Sequence, residues 1–131
     1  MQIFLIGLGD NGKGGPKIGC GDSAIPVQVR VPYTQGVLRA ALDKLLSIKE
    51  RNYGASGLYN SLYQSDLHVE SLALDAGKAT IRLTGTLSMG GECDSPRVEA
   101  QLKQTALQFS TVQDVAILLN ERPLADVLSL K

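Results

Sequence analysis

The 131-residue chain has no tryptophan, a single histidine, two cysteines and only 5% aromatic residues. So few soft ligands exclude a four-ligand structural zinc site built within one chain, since such sites draw on four Cys or His side chains. Neither charge is in surplus, because 13 Lys and Arg balance 13 Asp and Glu. A nucleic-acid partner is therefore not expected, as backbone binding needs excess basic side chains to neutralise phosphates. Long apolar runs are missing too, and none approaches the roughly 18 residues of a membrane-spanning helix. The opening Met1 to Leu8 is apolar for about six residues without a basic leader, so it does not read as a secretory signal. Ile18-Gly19-Cys20 lacks the apolar run that would make it a lipoprotein box.

What is present suits a packed core. Hydrophobic residues make up 44% and charged residues 20%, a balance that excludes a largely disordered chain. With so few aromatics the core must come from Leu, Val, Ile and Ala. The length is that of one domain.

Residues 2–8 read as a short buried strand. Seven of the 14 glycines fall within residues 7–21, which breaks any helical period and makes residues 9–24 a loop. Ile25, Val27, Val29 and Val31 alternate with Pro26, Gln28, Arg30 and Pro32, an edge-strand pattern. Thr34 is placed to cap a helix over 35–49, with Leu38, Ala41, Leu42, Leu45 and Leu46 as one apolar stripe. Ser56 is placed to cap a short second helical turn, Gly57 to Tyr63.

A hairpin follows. Leu67 and Val69 point inward, and Leu72 and Leu74 keep doing so only if a bulge near Glu70-Ser71 shifts the phase. Asp75-Ala76-Gly77 is the turn, and Ala79, Ile81, Leu83 and Gly85 alternate along the return strand. Ser95 and Pro96 read as the cap and first residue of a second long helix. Its inner stripe is Val98, Leu102, Thr105, Ala106 and Phe109. Val115 to Leu119 is a last buried strand, Asn120 to Pro123 a turn, and Leu124, Val127, Leu128 and Leu130 form an apolar tail able to dock. The order ββα(α)ββαβ, with hairpin-length links and no internal repeat, implies α+β: a two-layer fold with two amphipathic helices on one face of a mixed or antiparallel sheet.

Two phosphate-loop patterns overlap near the start. Gly7 to Gly12 matches GxGxxG and Gly7 to Lys13 matches GxxxxGK. Both chemistries need the loop to open directly into a helix whose first amides hold phosphate. Gly14-Gly15-Pro16 follows instead, so a nucleotide-binding protein or enzyme using Gly7 to Lys13 is only the alternative reading. Asp10-Asn11-Gly12 lacks the ligand ladder of a calcium loop.

Cys20 and Cys93 both sit in glycine-containing irregular segments. A disulfide between them is favoured, and only one internal pairing exists. Two reduced thiols, or a catalytic Cys93 near a helix N-terminus, are the other options. The catalytic option needs a base, and His68 is expected on the outer face of its strand. No Ser-His-Asp set or acidic pair stands out, which favours a binding or assembly role over catalysis and calls for no cofactor or metal.

Gly19-Cys20-Gly21-Asp22 ahead of Val27 to Arg30, the helix Thr34 to Leu46, Ser56 to Leu62, and Cys93-Asp94-Ser95-Pro96-Arg97 together resemble the GerMN domain of sporulation and spore-germination proteins. The resemblance runs from about residue 25 to 123 in a single domain of residues 1–131, with a strand and glycine loop at 1–24 and a tail at 124–131. It implies a fold similar to ring-building modules of secretion-type complexes. It also implies a non-catalytic, extracytoplasmic setting at the cell envelope, exported or lipid-anchored in the full-length protein. The partner would be an envelope protein, a second copy or a cell-wall component; an envelope ligand-binding or inhibitor module is a further alternative. Disulfides persist in such compartments. Candidate contact residues are Tyr59, Asn60, Tyr63, Asp94 and Arg97. Each also has a plainer role: Asn60 satisfying backbone groups, the tyrosines covering core edge, Asp94 and Arg97 as a cap or ion pair.

Overall fold

A computed structural model describes residues 1–31 and 36–129. The Thr34 cap and the docking of Leu130 lie outside the described residues. The elements run β1 (Gln2–Gly7), β2 (Ser23–Gln28), α1 (Val37–Ser47), β3 (Asp66–Asp75), β4 (Lys78–Thr86), α2 (Asp94–Leu107), β5 (Asp114–Leu119), β6 (Arg122–Pro123) and α3 (Leu124–Ser129), with a 3-10 turn at Gly19–Gly21. The class is α+β. The strands divide into an antiparallel pair β1–β2 and a four-stranded mixed sheet ordered β3-β4-β5-β6, in which β4 and β5 run parallel.

Alternation and stripes explain which faces are buried. Ala79, Ile81 and Leu83 of β4 turn inward against Ala41, Leu42, Leu45 and Leu46 of α1 and Val98, Leu102 and Ala106 of α2. Ile3 and Leu5 of β1, Ile117 and Leu119 of β5, and Leu124 and Leu128 of α3 complete one continuous core. The apolar tail is therefore a short helix seated on the core. A register shift between Val69 and Ser71 pairs Leu72 with Ile81 and Leu74 with Ala79, keeping both leucines on the core side of β3. Leu74 is nonetheless 49% exposed, although its partner Ala79 is fully buried.

Three local expectations need correction. Gly57 to Tyr63 is not helical: Tyr59 makes antiparallel bridges to Ile6 and Asn52, and a turn follows. Gly57 has φ +77°, so the backbone leaves the helical region where Leu58 and Leu62 suggested it would stay. Helix α2 begins at Asp94, with Cys93 as its N-cap, so Pro96 occupies the first turn and not the first position. The helix ends at Leu107, and Phe109 lies beyond it.

Candidate functional site

The start of α2, the loop after β1 and the bridge strand at Tyr59 meet in one polar cluster. Cys20 and Cys93 are disulfide-bonded, with Cα atoms 6.0 Å apart and a sequence separation of 73. Cys20 takes φ +62° inside the 3-10 turn and Gly21 takes +72°. This reversal directs the following Asp22 inward.

Asp22 is 2% exposed, and its carboxylate accepts from the Gly9 amide at 2.9 Å and from Arg97 Nε at 2.7 Å. Asp94, also 2% exposed, accepts from Arg97 Nη1 at 2.9 Å, the Tyr59 hydroxyl at 2.9 Å and the Gly90 amide at 2.7 Å. One guanidinium thus lies between two buried carboxylates, and each carboxylate also receives neutral donors. Burial opposes the Arg97 charge, but its hydrogen bonds to Asp22 and Asp94 outweigh that and raise its pKa. Burial and the Asp94 hydrogen bond push the Tyr59 hydroxyl up to about 12.

A second buried network lies beside the first. Gln101 Oε1 accepts from the Ser61 amide at 2.9 Å and from the Ser61 hydroxyl, while Gln101 Nε2 donates to Asn60 Oδ1 at 3.1 Å. Asn60 Nδ2 donates to the Ile48 carbonyl at 2.9 Å. Asn60 is fully buried, with no exposed surface of its own. Its side chain instead satisfies backbone groups of the segment that turns from α1 toward β3.

The structure brings Tyr59, Asp94 and Arg97 together and sets Tyr63 edge-to-face with Tyr59 at 6.4 Å. It leaves Asn60 in the neighbouring network. Sequence reasoning missed Asp22, Arg51 and Gln101. Arg51 also borders the cluster, its guanidinium carbon 5.7 Å from the Tyr59 ring centroid, against 5.4 Å for Arg97. Gln101 was detectable as the polar residue between Val98 and Leu102 on the inner stripe. Part of the first cluster borders an open groove of about 680 Å³, lined by Arg51, Tyr59, Tyr63, Arg97, Leu8 and the Gly90–Asp94 segment.

The glycine loop does not form a phosphate cradle. Its chain passes into strand β2, antiparallel to β1, where both phosphate motifs require a helix. The Gly9, Gly12 and Gly14 amides are bonded to Asp22, Ser23 and Asp10. The Gly14 amide, the largest influence on it, helps hold the Asp10 carboxyl below its ordinary pKa. Both cysteines are oxidised, which leaves no thiol for nucleophilic chemistry, and His68 sits on exposed β3 surface 3.1 Å from Asp66.

Fold and cluster together define a class: a small α+β domain whose amino-terminal loop is tied to the start of its second long helix by one disulfide and one shared arginine. The chain belongs to the Germane family, described as sporulation and spore germination, whose model matches residues 11–125. No curated protein matches the sequence. Among solved structures, the chain is similar to the tandem GerMN domains of the sporulation protein GerM from Bacillus subtilis, at TM-score 0.64 and 15% identity over 93% of this chain and 39% of that one. The chain therefore spans about two fifths of that tandem structure. It is also similar to the first GerMN domain of GerM, at TM-score 0.59 and 14% identity over 94% of this chain and 85% of that one. A putative lipoprotein from Clostridium perfringens matches at TM-score 0.52 and 14% identity, covering 93% and 74% of the two chains. These likenesses establish the fold. Among the described residues no helix is long and apolar enough to cross a membrane.

Proposed function

We propose that this sporulation-family domain works outside the cytoplasm as a non-catalytic assembly module, binding another envelope protein or a second copy of itself. The Cys20–Cys93 bridge is the observation that carries this reading. A structural disulfide persists in an oxidising compartment and is rare in the cytosol. Around it, the buried carboxylates, tyrosine hydroxyl and arginine are engaged with one another, an arrangement that stiffens a surface without activating a nucleophile or base. The lipoprotein among the structural relatives supports the envelope setting.

The test has two parts. Protein purified without reductant should show no free thiol under denaturing conditions, and two free thiols from export-competent cells would remove the extracytoplasmic reading. Light scattering over a concentration series, with pull-down from an envelope fraction, should show self-association or a specific partner. A strict monomer that retains no envelope protein would remove the assembly reading.

A further inference from the structure

The assembly reading leaves open which surface receives a partner, and Arg51 narrows the choice. It is exposed, and it forms no ion pair with any described residue. Its guanidinium carbon lies 5.7 Å from the Tyr59 ring centroid, within cation–π range, and its side-chain N–H groups donate to no described residue. Arg97, over the same ring, is different: its Nε and Nη1 are engaged by Asp22 and Asp94. The groove therefore holds one uncompensated cation.

Its remaining lining limits the occupant. Exposed Glu92, likewise without an ion pair to a described residue, borders the same groove, so a polyanion is disfavoured where a single negative charge at Arg51 is accommodated. A planar carboxylate matches the guanidinium fork with two parallel hydrogen bonds. Tyr63 and Leu8, the latter 51% exposed, supply apolar wall beside it. Gly90 and Gly91 form an exposed rim without side chains to obstruct an approaching main chain.

We infer that this groove binds the carboxylate of a partner peptide through Arg51, with an adjacent apolar side chain lying on Tyr63 and Leu8. The inference deepens the assembly reading and can fail separately from it, because the probe is small and binding is read on the domain whatever its oligomeric state.

The experiment titrates the oxidised ¹⁵N-labelled protein with N-acetyl-leucine, N-acetyl-leucinamide and inorganic phosphate. N-acetyl-leucine should produce saturable shifts at the Gly90, Gly91 and Glu92 amides. The uncharged amide analogue should bind roughly tenfold more weakly or worse, since it lacks a charge-assisted pair. Arg51→Gln should abolish the response with melting temperature unchanged, and Arg51→Glu should do the same. Absence of saturable shifts would overturn the proposal. So would equal binding of the amide analogue, undiminished binding by Arg51→Gln, or phosphate binding as tight as the carboxylate, which would mark simple anion attraction.

Discussion

Arg97 places one positive charge between the Asp22 and Asp94 carboxylates while remaining only 18% exposed itself. Removing one member of a buried ionic group leaves the others as uncompensated charges, which is more damaging than never having had the group. Arg97→Met should therefore lower unfolding free energy by about 3–5 kcal/mol. Arg97→Lys should fall between the two, because an ammonium keeps the charge but cannot span both carboxylates as the guanidinium does. Urea titration of the three proteins checks this order, and a methionine variant as stable as the parent would reject it. Tyr59 adds a pH signature. With its folded pKa raised to about 12 from an ordinary 10.0, its contribution to stability is complete below pH 10. It is lost as pH climbs from 10 toward 12, where the unfolded chain releases the proton more readily. Tyr59→Phe should be less stable than the parent at pH 8, and the gap should close across that window.

The hairpin β3–β4 ends where a single missing Cβ matters. Gly85 has φ +126°, and a Cβ there would stand 1.9 Å from the Asp66 carbonyl oxygen. Asn120 then brackets the same residue, accepting from the Gly85 amide at 3.2 Å and donating to its carbonyl at 2.9 Å. Gly85→Ala combines backbone strain with a clash against fixed main chain, and should cost about 3 kcal/mol or more. Thermal melts should show it, while Gly91→Ala, where nothing lies within 4 Å of the added carbon, should change little. At this scale much of the molecule was readable. The α1 stripe followed from the spacing of Leu38, Ala41, Leu42, Leu45 and Leu46, and the hairpin with its β3 bulge from the phase of Leu67, Val69, Leu72 and Leu74, because burial imposes strict periods. Gly57 to Tyr63 was misread because Leu58 and Leu62 share helical spacing, and only pairing with Ile6, distant in sequence, fixes that segment as extended. The same limit hid Asp22 and Arg51. Each owes its role to a partner from another part of the chain, and spacing carries no trace of that.

Across the whole molecule, two ties of different physical kind join the amino-terminal loop to α2. The disulfide acts mainly on the unfolded chain, closing a loop of 73 residues and removing conformations worth about 4 kcal/mol in the chain-entropy picture. The Arg97 pair to Asp22 acts on the folded state alone. Replacing both cysteines by alanine should therefore preserve the fold and lower stability by about 4 kcal/mol, with Asp22 still held by Arg97 and by the Gly9 amide. The informative protein is the one that also carries Arg97→Met. With the bridge intact, loss of Arg97 leaves the loop anchored at Cys20, so its amides stay protected. Without the bridge, the same substitution removes the remaining side-chain ion pair between loop and helix among the described residues, so the loop should open locally before the core unfolds. Hydrogen exchange at the Asn11 and Ile18 amides, which bond to Gly21 and Asp22 carbonyls within the loop, distinguishes the cases. Exchange accelerated only when both ties are gone shows that they back each other up. Equal acceleration by Arg97→Met alone would mean that the covalent bridge does not hold the loop against α2.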